Sequence, residues 1–424
     1  LAYTQCPMTL IVQKFGGTSV ADLDKIRHVA ERVKAEVDRG NKVVVAVSAM
    51  AGVTDQLAAW SREMSPLMQP ENWAEYDSVV ASGEQVTSGL LALRLQEQGV
   101  NARSWAGWQL PLRTVGSHGR ARIEAIDTDM MHEALNRGEV IVVAGFQGIT
   151  ADNRIATLGR GGSDTTAVAI AAALKADRCD IYTDVDGIYT TDPRIVKAAR
   201  KLQKVAYEEI LEMASQGAKV LQTRSVEMAM NYGVTVQVLS TFSDEPGTLL
   251  VEENEVLERR RVTGITYSRD DARVTLTNVA NVPGISAKIF GPLGEGEAEI
   301  NVDMIVQNVS EDGSRTDMTF TVPQGDLAKT LEVMEAAKDE IGFENLHSDS
   351  GVSKVSVIGV GMRSHAGVAT TMFTTLAEKG VNILVISTSE IKISVLIEEE
   401  YTELALRALH SAFELDAEPK VETG

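Results

Sequence analysis

A chain of 424 residues is too long for one ordinary hydrophobic core, so two or three domains are expected. Its formal net charge of −20 argues against nucleic acid and anionic membrane, both of which demand a Lys/Arg surplus, and leaves small molecules or other protein subunits as partners. Two cysteines, Cys6 and Cys179, and six scattered histidines form neither a disulfide framework nor a metal-thiolate spacing, and no apolar run has the length of a membrane span or the shape of a signal peptide, which together point to a reducing cytoplasm.

Residues 1–7 precede Met8 and read as an extension outside the fold. From there to about residue 250, short β-branched runs alternate with helical segments. Strands are predicted at Leu10–Phe15, Lys42–Val47, Val140–Gly145, Asp180–Thr183 and Val234–Leu239. Helices are predicted at Asp22–Asp38, Glu84–Gln98, Asp164–Leu174, Glu208–Gln216 and Ser225–Tyr232. Continuous hydrophobicity in the strands predicts an α/β fold: a mostly parallel sheet covered by helices on both faces, with ligands at the carboxyl ends of the strands.

The motifs with chemical content sit at those strand ends and helix starts. Lys14-Phe15-Gly16-Gly17-Thr18-Ser19 follows the first strand, where two glycines free backbone N–H groups to face an anion and Lys14 supplies a point charge for a transferring phosphate. Ser48-Ala49-Met50 with Thr54-Asp55 follows the second strand, where its hydroxyls could meet phosphate or substrate; taken alone it reads better as an ordinary capped helix start. Ser82-Gly83-Glu84 opens a helix, where a carboxylate is commonly no more than dipole compensation. In Leu158–Thr166 three glycines surround Arg160 ahead of an alanine-rich helix, so backbone can approach a ligand while the guanidinium offers a planar fork to a carboxylate or phosphate. Tyr182–Arg194 is dense in acids that either form turns or hold a nucleoside or a magnesium-bound phosphate. Walker, GxGxxG and protein-kinase signatures are missing, so a phosphoryl-transfer enzyme here belongs to another architecture.

After the charged stretch Glu252–Arg261 the pattern becomes an internal repeat. Val274–Phe290 matches Val357–Phe373 at an offset of 83 residues, Gly284 falling on Gly367, and Asn301–Met304 matches Asn382–Val385 at an offset of 81. Each copy reads as a small ferredoxin-like βαββαβ unit.

Taken together, KFGGTS (14–19), SAM with TD (48–55), SGE (82–84), GFQG (145–148), LGRGGSDTTA (158–167) and YTDVDGIYTTDPR (182–194) resemble, in order, the motif series of the aspartokinases, members of the amino-acid kinase family. The tandem repeat resembles their two ACT regulatory domains, and the absence of a following dehydrogenase domain places the likeness with the monofunctional form. The resemblance implies a catalytic domain at 8–250, a linker at 251–263 and ACT domains at 264–346 and 352–424. It implies transfer of the ATP γ-phosphoryl group to the β-carboxylate of L-aspartate, the entry to lysine, threonine and methionine synthesis.

By the same resemblance, Lys14, Phe15, Gly16, Gly17, Thr183, Asp184, Tyr189, Arg194 and Lys219 meet ATP, and Ser48, Thr54, Glu84 and Arg160 meet the amino acid, with Lys14, Arg160 and Asp164 closest to the chemistry. Arg160 suits the α-carboxylate and Glu84 the α-ammonium. Mg2+ would be held mainly by phosphate oxygens, with help from Asp184 or Asp164. Lysine, threonine or both are the implied effectors, with Asp303, Gln307, Asn382 and Ile383 as candidate effector residues. The implied assembly is a homodimer through the ACT units or an α2β2 complex with a shorter regulatory subunit. The first ACT loop, Asn281-Val282-Pro283-Gly284, lacks a common aspartate and the second, Ser364-His365-Ala366-Gly367, lacks the usual proline. Another amino-acid kinase, or a catalytically silent amino-acid sensor built on the ACT pair, are the competing readings; intact Lys14, Glu84, Arg160 and Asp184 speak against the sensor.

Overall fold

The computed structural model describes residues 9–66, 69–217, 220–253, 261–294, 299–364 and 367–417. Among them the chain forms two compact units: residues 9–188, 201–214 and 220–253 make the first, and residues 189–200, 215–217 and those from 261 onward make the second. The 1–7 extension and most of the charged stretch before residue 261 lie outside the described residues.

The first unit opens with β1 (Leu10–Phe15), α1 (Leu23–Asp38), β2 (Lys42–Val47), α2 (Val53–Met64), α3 (Pro70–Val80) and α4 (Ser82–Glu97). It continues through β3 (Ala102–Trp105), β4 (Leu112–Val115), β5 (Arg122–Ile126), α5 (Asp129–Asn136), β6 (Val140–Ala144), β7 (Gln147–Ile149) and β8 (Ile155–Thr157). It closes with α6 (Gly162–Leu174), β9 (Arg178–Thr183), β10 (Lys204–Ala206), α7 (Tyr207–Ser215), α8 (Thr223–Tyr232), β11 (Val236–Ser240) and β12 (Thr248–Val251). Eight strands form one sheet in the order β10-β12-β11-β9-β1-β2-β6-β3, and β5-β4-β7-β8 form a second. In the large sheet the run from β11 to β3 is parallel, while β12 reverses against β11 and β10 follows β12.

Burial explains why these strands show no alternation: β6 is buried at every residue, and β1 and β2 at every residue after the first. The pleat then decides which way each side chain points. Phe15 packs with Val29 and Val33 of α1 and Leu91 and Leu95 of α4. Its neighbour Lys14 faces the other side, where α6 lies against β1, β2 and β9. Helix α6 is buried almost all round and carries no polar stripe, as its alanine-rich sequence requires. The small sheet was not legible in the sequence because its strands are three to five residues long and, in β5, largely exposed.

The second unit contains β13 (Gly264–Ser268), β14 (Asp271–Ala280), α9 (Ile285–Gly294), β15 (Ile305–Val309), β16 (Arg315–Pro323), α10 (Leu327–Ala336), α11 (Lys338–Ile341) and β17 (Asn345–Asp349). The repeat follows with β18 (Val352–Ile358), α12 (Val368–Glu378), β19 (Val385–Thr388), β20 (Lys392–Glu398) and α13 (Thr402–Ala412). The two antiparallel sheets are ordered β15-β16-β14-β17 and β13-β18-β20-β19. Gly284 and Gly367, equivalent in the repeat, both take the left-handed conformation, at φ 91° and 101°. The first copy ends on its own strand, β17. The second takes its fourth strand from β13, which lies ahead of the first copy in the chain. Met304 and Val306 of the first copy pack with Val352, Leu384, Val385 and Leu396 of the second, so the copies share a small apolar contact.

Residues 189–200 belong to this second unit. The Ile265 N–H donates to the Thr190 carbonyl at 2.8 Å, Thr190 Oγ1 and His410 Nε2 are hydrogen-bonded at 2.9 Å, and Val196 joins the core beneath α12 and α13.

Candidate functional site

The chain leaves the large sheet after Phe15, whose ring stacks on Tyr182 with centroids 4.6 Å apart. The Gly16 N–H donates to the Tyr182 carbonyl at 3.3 Å and the Ser48 N–H to the Phe15 carbonyl at 3.0 Å, so the loops after β1, β2 and β9 are stitched together. A Cβ on Gly16 would stand 3.2 Å from Lys14 Nζ, and one on Gly17 3.1 Å from the Ala49 carbonyl. The pair thus presents bare backbone beside the lysine, a surface an anion can reach. Lys14 Nζ is 2.5 Å from Asp164 Oδ1 in the first turn of α6, each side chain being 11% exposed.

Glu84 lies in the first turn of α4 and is 3% exposed. Its Oε1 accepts the Ala49 N–H at 3.1 Å, while Oε2 has no hydrogen-bond partner among the described residues. Burial pushes its pKa up to about 7, against the lowering effect of the Ala49 N–H. Gly83 is required here, because a Cβ would stand 2.8 Å from that of Ala49. Ser48 is half-buried beside this contact, and Thr54 is half-buried in the first turn of α2, which follows Gly52 at φ 80°.

The glycine-rich loop runs from β8 into α6, whose first helical residue is Gly162, two positions earlier than the sequence suggests. Gly159 and Gly161 are left-handed, and a Cβ on Gly162 would come within 2.7 Å of the Phe146 ring. Arg160 stands exposed at the centre of the loop. Phe146, in the turn between β6 and β7, adopts a positive φ of 69° and donates its N–H to Thr166 Oγ1 at 3.1 Å. Arg224 of α8 donates to the carbonyls of Leu158 and Ala121 at 2.8 and 2.9 Å.

The structure therefore groups Lys14 with Asp164, and Glu84 with the loop of Ser48, at the carboxyl ends of β1 and β2. Thr183 and Asp184 follow β9 in the same unit, Thr183 Oγ1 donating to Asp184 Oδ1 at 3.0 Å. Tyr189 and Arg194 lie in the second unit. There Arg194 grips Asp192 through Nε and Nη2, at 3.0 and 2.8 Å, and holds that carboxyl below the usual range. Lys219 lies outside the described residues.

Of the candidate effector residues, Asp303 precedes β15 and its Oδ2 is 2.5 Å from Lys354 Nζ of β18. Gln307 is exposed on β15 and donates to Asn281 Oδ1 at 3.3 Å. Asn382 is exposed and Ile383 half-buried against the core of the second copy. Among the described residues no group of three or more His, Cys, Asp or Glu side chains is arranged to hold a metal ion, and no helix is long and apolar enough to cross a membrane.

Comparison with known proteins places these features. Residues 9–240 match the model of the amino acid kinase family, and residues 276–337 and 355–413 match an ACT domain model. An aspartate kinase of Pseudomonas putida is 51% identical over 411 residues, covering 97% of this chain and 98% of its own. The crystal structure of Escherichia coli aspartokinase III in complex with aspartate and ADP (R-state) superimposes with a TM-score of 0.77 at 29% identity, covering 95% of this chain and 99% of that one. The T-state structure of the same enzyme, in complex with lysine and aspartate, gives a TM-score of 0.76 at 28% identity with the same coverage.

Proposed function

The chain belongs to the aspartokinases of the amino acid kinase family, and on that footing we propose that it transfers the γ-phosphoryl group of ATP to the β-carboxylate of L-aspartate, giving ADP and 4-phospho-L-aspartate at the head of lysine, threonine and methionine synthesis. The observation that carries the amino-acid half of this reading is Glu84: a buried carboxylate with one oxygen unpartnered, at the carboxyl end of a parallel sheet, is the complement of a substrate ammonium. Arg160 offers its planar fork to the α-carboxylate. The β-carboxylate is then the end left to react.

A carboxylate is already ionised near neutral pH, so one of its oxygens attacks the γ-phosphorus without a general base while the bond to the departing ADP oxygen breaks. Positioning and charge neutralisation do the rest. Lys14, aimed by Asp164, is the group in reach of the transferring phosphoryl oxygens, and the bare Gly16-Gly17 backbone leaves room for them. Mg2+ would neutralise further phosphate charge, held mainly by the nucleotide's phosphate oxygens with help from Asp184 or Asp164 of this chain. Thr183 and Asp184, which follow β9 in the first unit, would border the nucleotide.

The ACT pair would confer feedback by lysine, threonine or both, through Asp303, Gln307, Asn382 and Ile383, in a homodimer or with a shorter regulatory subunit. Feedback requires only that effector bind a low-activity arrangement better than the active one, by about 1–3 kcal/mol. The cytoplasm, where ATP and free amino acids are held, is the compartment this activity calls for. ADP release measured with ATP and Mg2+ in the presence of aspartate, of glutamate and of neither tests the reading: release that depends on aspartate supports it, and equal rates in all three overturn it.

A further inference from the structure

Asp77 is fully buried on α3, has no lysine or arginine partner among the described residues, and is absent from every motif discussed so far. Its two oxygens are instead filled by groups from two loops. Thr157, the last residue of β8, donates its N–H to Oδ2 at 3.0 Å and its hydroxyl to Oδ1 at 2.5 Å. The Gly119 N–H reaches both oxygens at 3.0 and 3.1 Å, and His118 Nδ1 is 2.8 Å from Oδ2. The two loops are in turn joined to each other: the Ala121 N–H donates to the Thr157 carbonyl at 2.9 Å, and a Cβ on Gly159 would stand 3.1 Å from the Gly119 carbonyl. One turn before Asp77, Trp73 lies against Gly119 so closely that a Cβ there would come within 2.9 Å of its ring.

We propose that Asp77 is a positioning residue for amino-acid binding: by fastening Thr157 and the 118–119 turn to α3, it fixes the glycine-rich loop that carries Arg160. The inference deepens the aspartate kinase reading and rests on it. Three features make the loop dependent on such an anchor. Gly159, Arg160 and Gly161 have few side-chain contacts of their own, two of the three being glycine in left-handed conformation. The far end of the loop is held by the first turn of α6 and by Gln222 packed against Gly161, while on the β8 side Arg224 holds the Leu158 carbonyl and Asp77 holds Thr157 one residue earlier. Finally, α3 runs through Ala81 directly into α4, whose first turn holds Glu84. The helix pair therefore carries both the anchor of the α-carboxylate ligand and the proposed ammonium ligand, and sets the span between them. Displacement of an oriented ligand by about 1 Å costs up to a hundredfold in rate.

Asp77→Asn tests this. The amide keeps the shape but turns one acceptor into a donor that faces N–H groups. The aspartate KM should rise between about tenfold and a hundredfold while the ATP KM stays within about twofold. Thr157→Val, which removes only the 2.5 Å hydroxyl contact, should give a smaller rise in the same direction, and Thr157→Ser, which restores it, should return the aspartate KM to that of wild type. These two variants decide the matter if Asp77→Asn does not fold. A merely structural role would lower the melting temperature without separating the two KM values. The inference is overturned if wild type turns over aspartate but folded Asp77→Asn or Thr157→Val keeps the wild-type aspartate KM, or raises both KM values in parallel. Failure of wild type itself to phosphorylate aspartate would instead overturn the reading beneath it.

Discussion

Lys14 Nζ and Asp164 Oδ1 stand 2.5 Å apart, one at the end of the central strand and the other in the first turn of the buried helix behind it. The pleat makes the pairing possible: because Phe15 is committed to the α1 and α4 side, Lys14 must face α6. Asp164 thus holds the ammonium at the mouth of the Gly16-Gly17 turn, where an incoming phosphoryl group would meet it. Lys14→Ala should lower kcat by about a hundredfold or more, since a preorganised charge at developing negative charge is worth a few kcal/mol. It should also destabilise the protein, because Asp164 is left buried without its cation. Near-normal turnover would remove Lys14 from the transfer step.

Glu84 gives a pH signature. Its folded-state pKa of about 7 lies above the ordinary 4.5, so the buried carboxyl is neutral in the free enzyme through the acid range and ionises only as pH rises through 7. An ammonium ligand needs the carboxylate. The kcat/KM for aspartate should therefore climb with pH to a plateau above about 7, while the ATP KM shows no such limb. Stability runs the opposite way: the group's contribution is fully present below pH 4.5 and is lost as pH rises from there through 7. Glu84→Gln should thus stabilise the ligand-free enzyme at pH 8, leave it unchanged at pH 4, and weaken aspartate binding. Thermal melts and kinetics across that range check all three.

Arg160 is exposed at the centre of its loop. Arg160→Lys keeps the charge and loses the fork, so the aspartate KM should rise strongly with the ATP KM nearly unchanged. An unaltered aspartate KM in this variant would take Arg160 out of the amino-acid site.

Much of this candidate site was legible because its motifs sit at strand ends or helix starts, and strand ends are marked by glycine and by the break in a β-branched run. The β1 and β2 boundaries fall at the residues the sequence indicates for that reason. The helix start at Gly162 fell two residues early because glycine reads as loop, whereas here it admits the Phe146 ring. Asp77 was invisible: one aspartate in an amphipathic helix gives no signal until the fold brings Thr157 and Gly119 to it. Likewise nothing in the run Tyr182–Arg194 reveals that its second half belongs to another unit, since that membership rests on distant partners such as His410. The fourth strand of the second repeat escaped the repeat pattern because β13 falls within the 264–346 span expected for the first ACT domain yet pairs with β18 of the second.

In the ACT pair, Lys354 is 4% exposed and bridges Asp271, at 3.3 Å, and Asp303, at 2.5 Å. Lys354→Met leaves the buried Asp271 without a cation and should cost on the order of 3–5 kcal/mol. Asp303→Ala should cost less, because Asp271 keeps its partner. Gln307→Ala touches neither, so it is the cleaner probe of regulation: inhibition by lysine or threonine should weaken with uninhibited kcat unchanged. Urea melts of the first two variants and inhibition curves of the third provide the comparison. A wild type insensitive to both amino acids would remove these residues from an effector site.

The most direct measurement is the identity of the acyl phosphate trapped by hydroxylamine when the enzyme turns over with ATP and Mg2+. The proposed site predicts β-aspartohydroxamate from aspartate and none from glutamate, because Arg160 and Glu84 would engage the amino-acid end and leave only the β-carboxylate at Lys14. An α-hydroxamate, a comparable yield from glutamate, or no hydroxamate from either amino acid would contradict it.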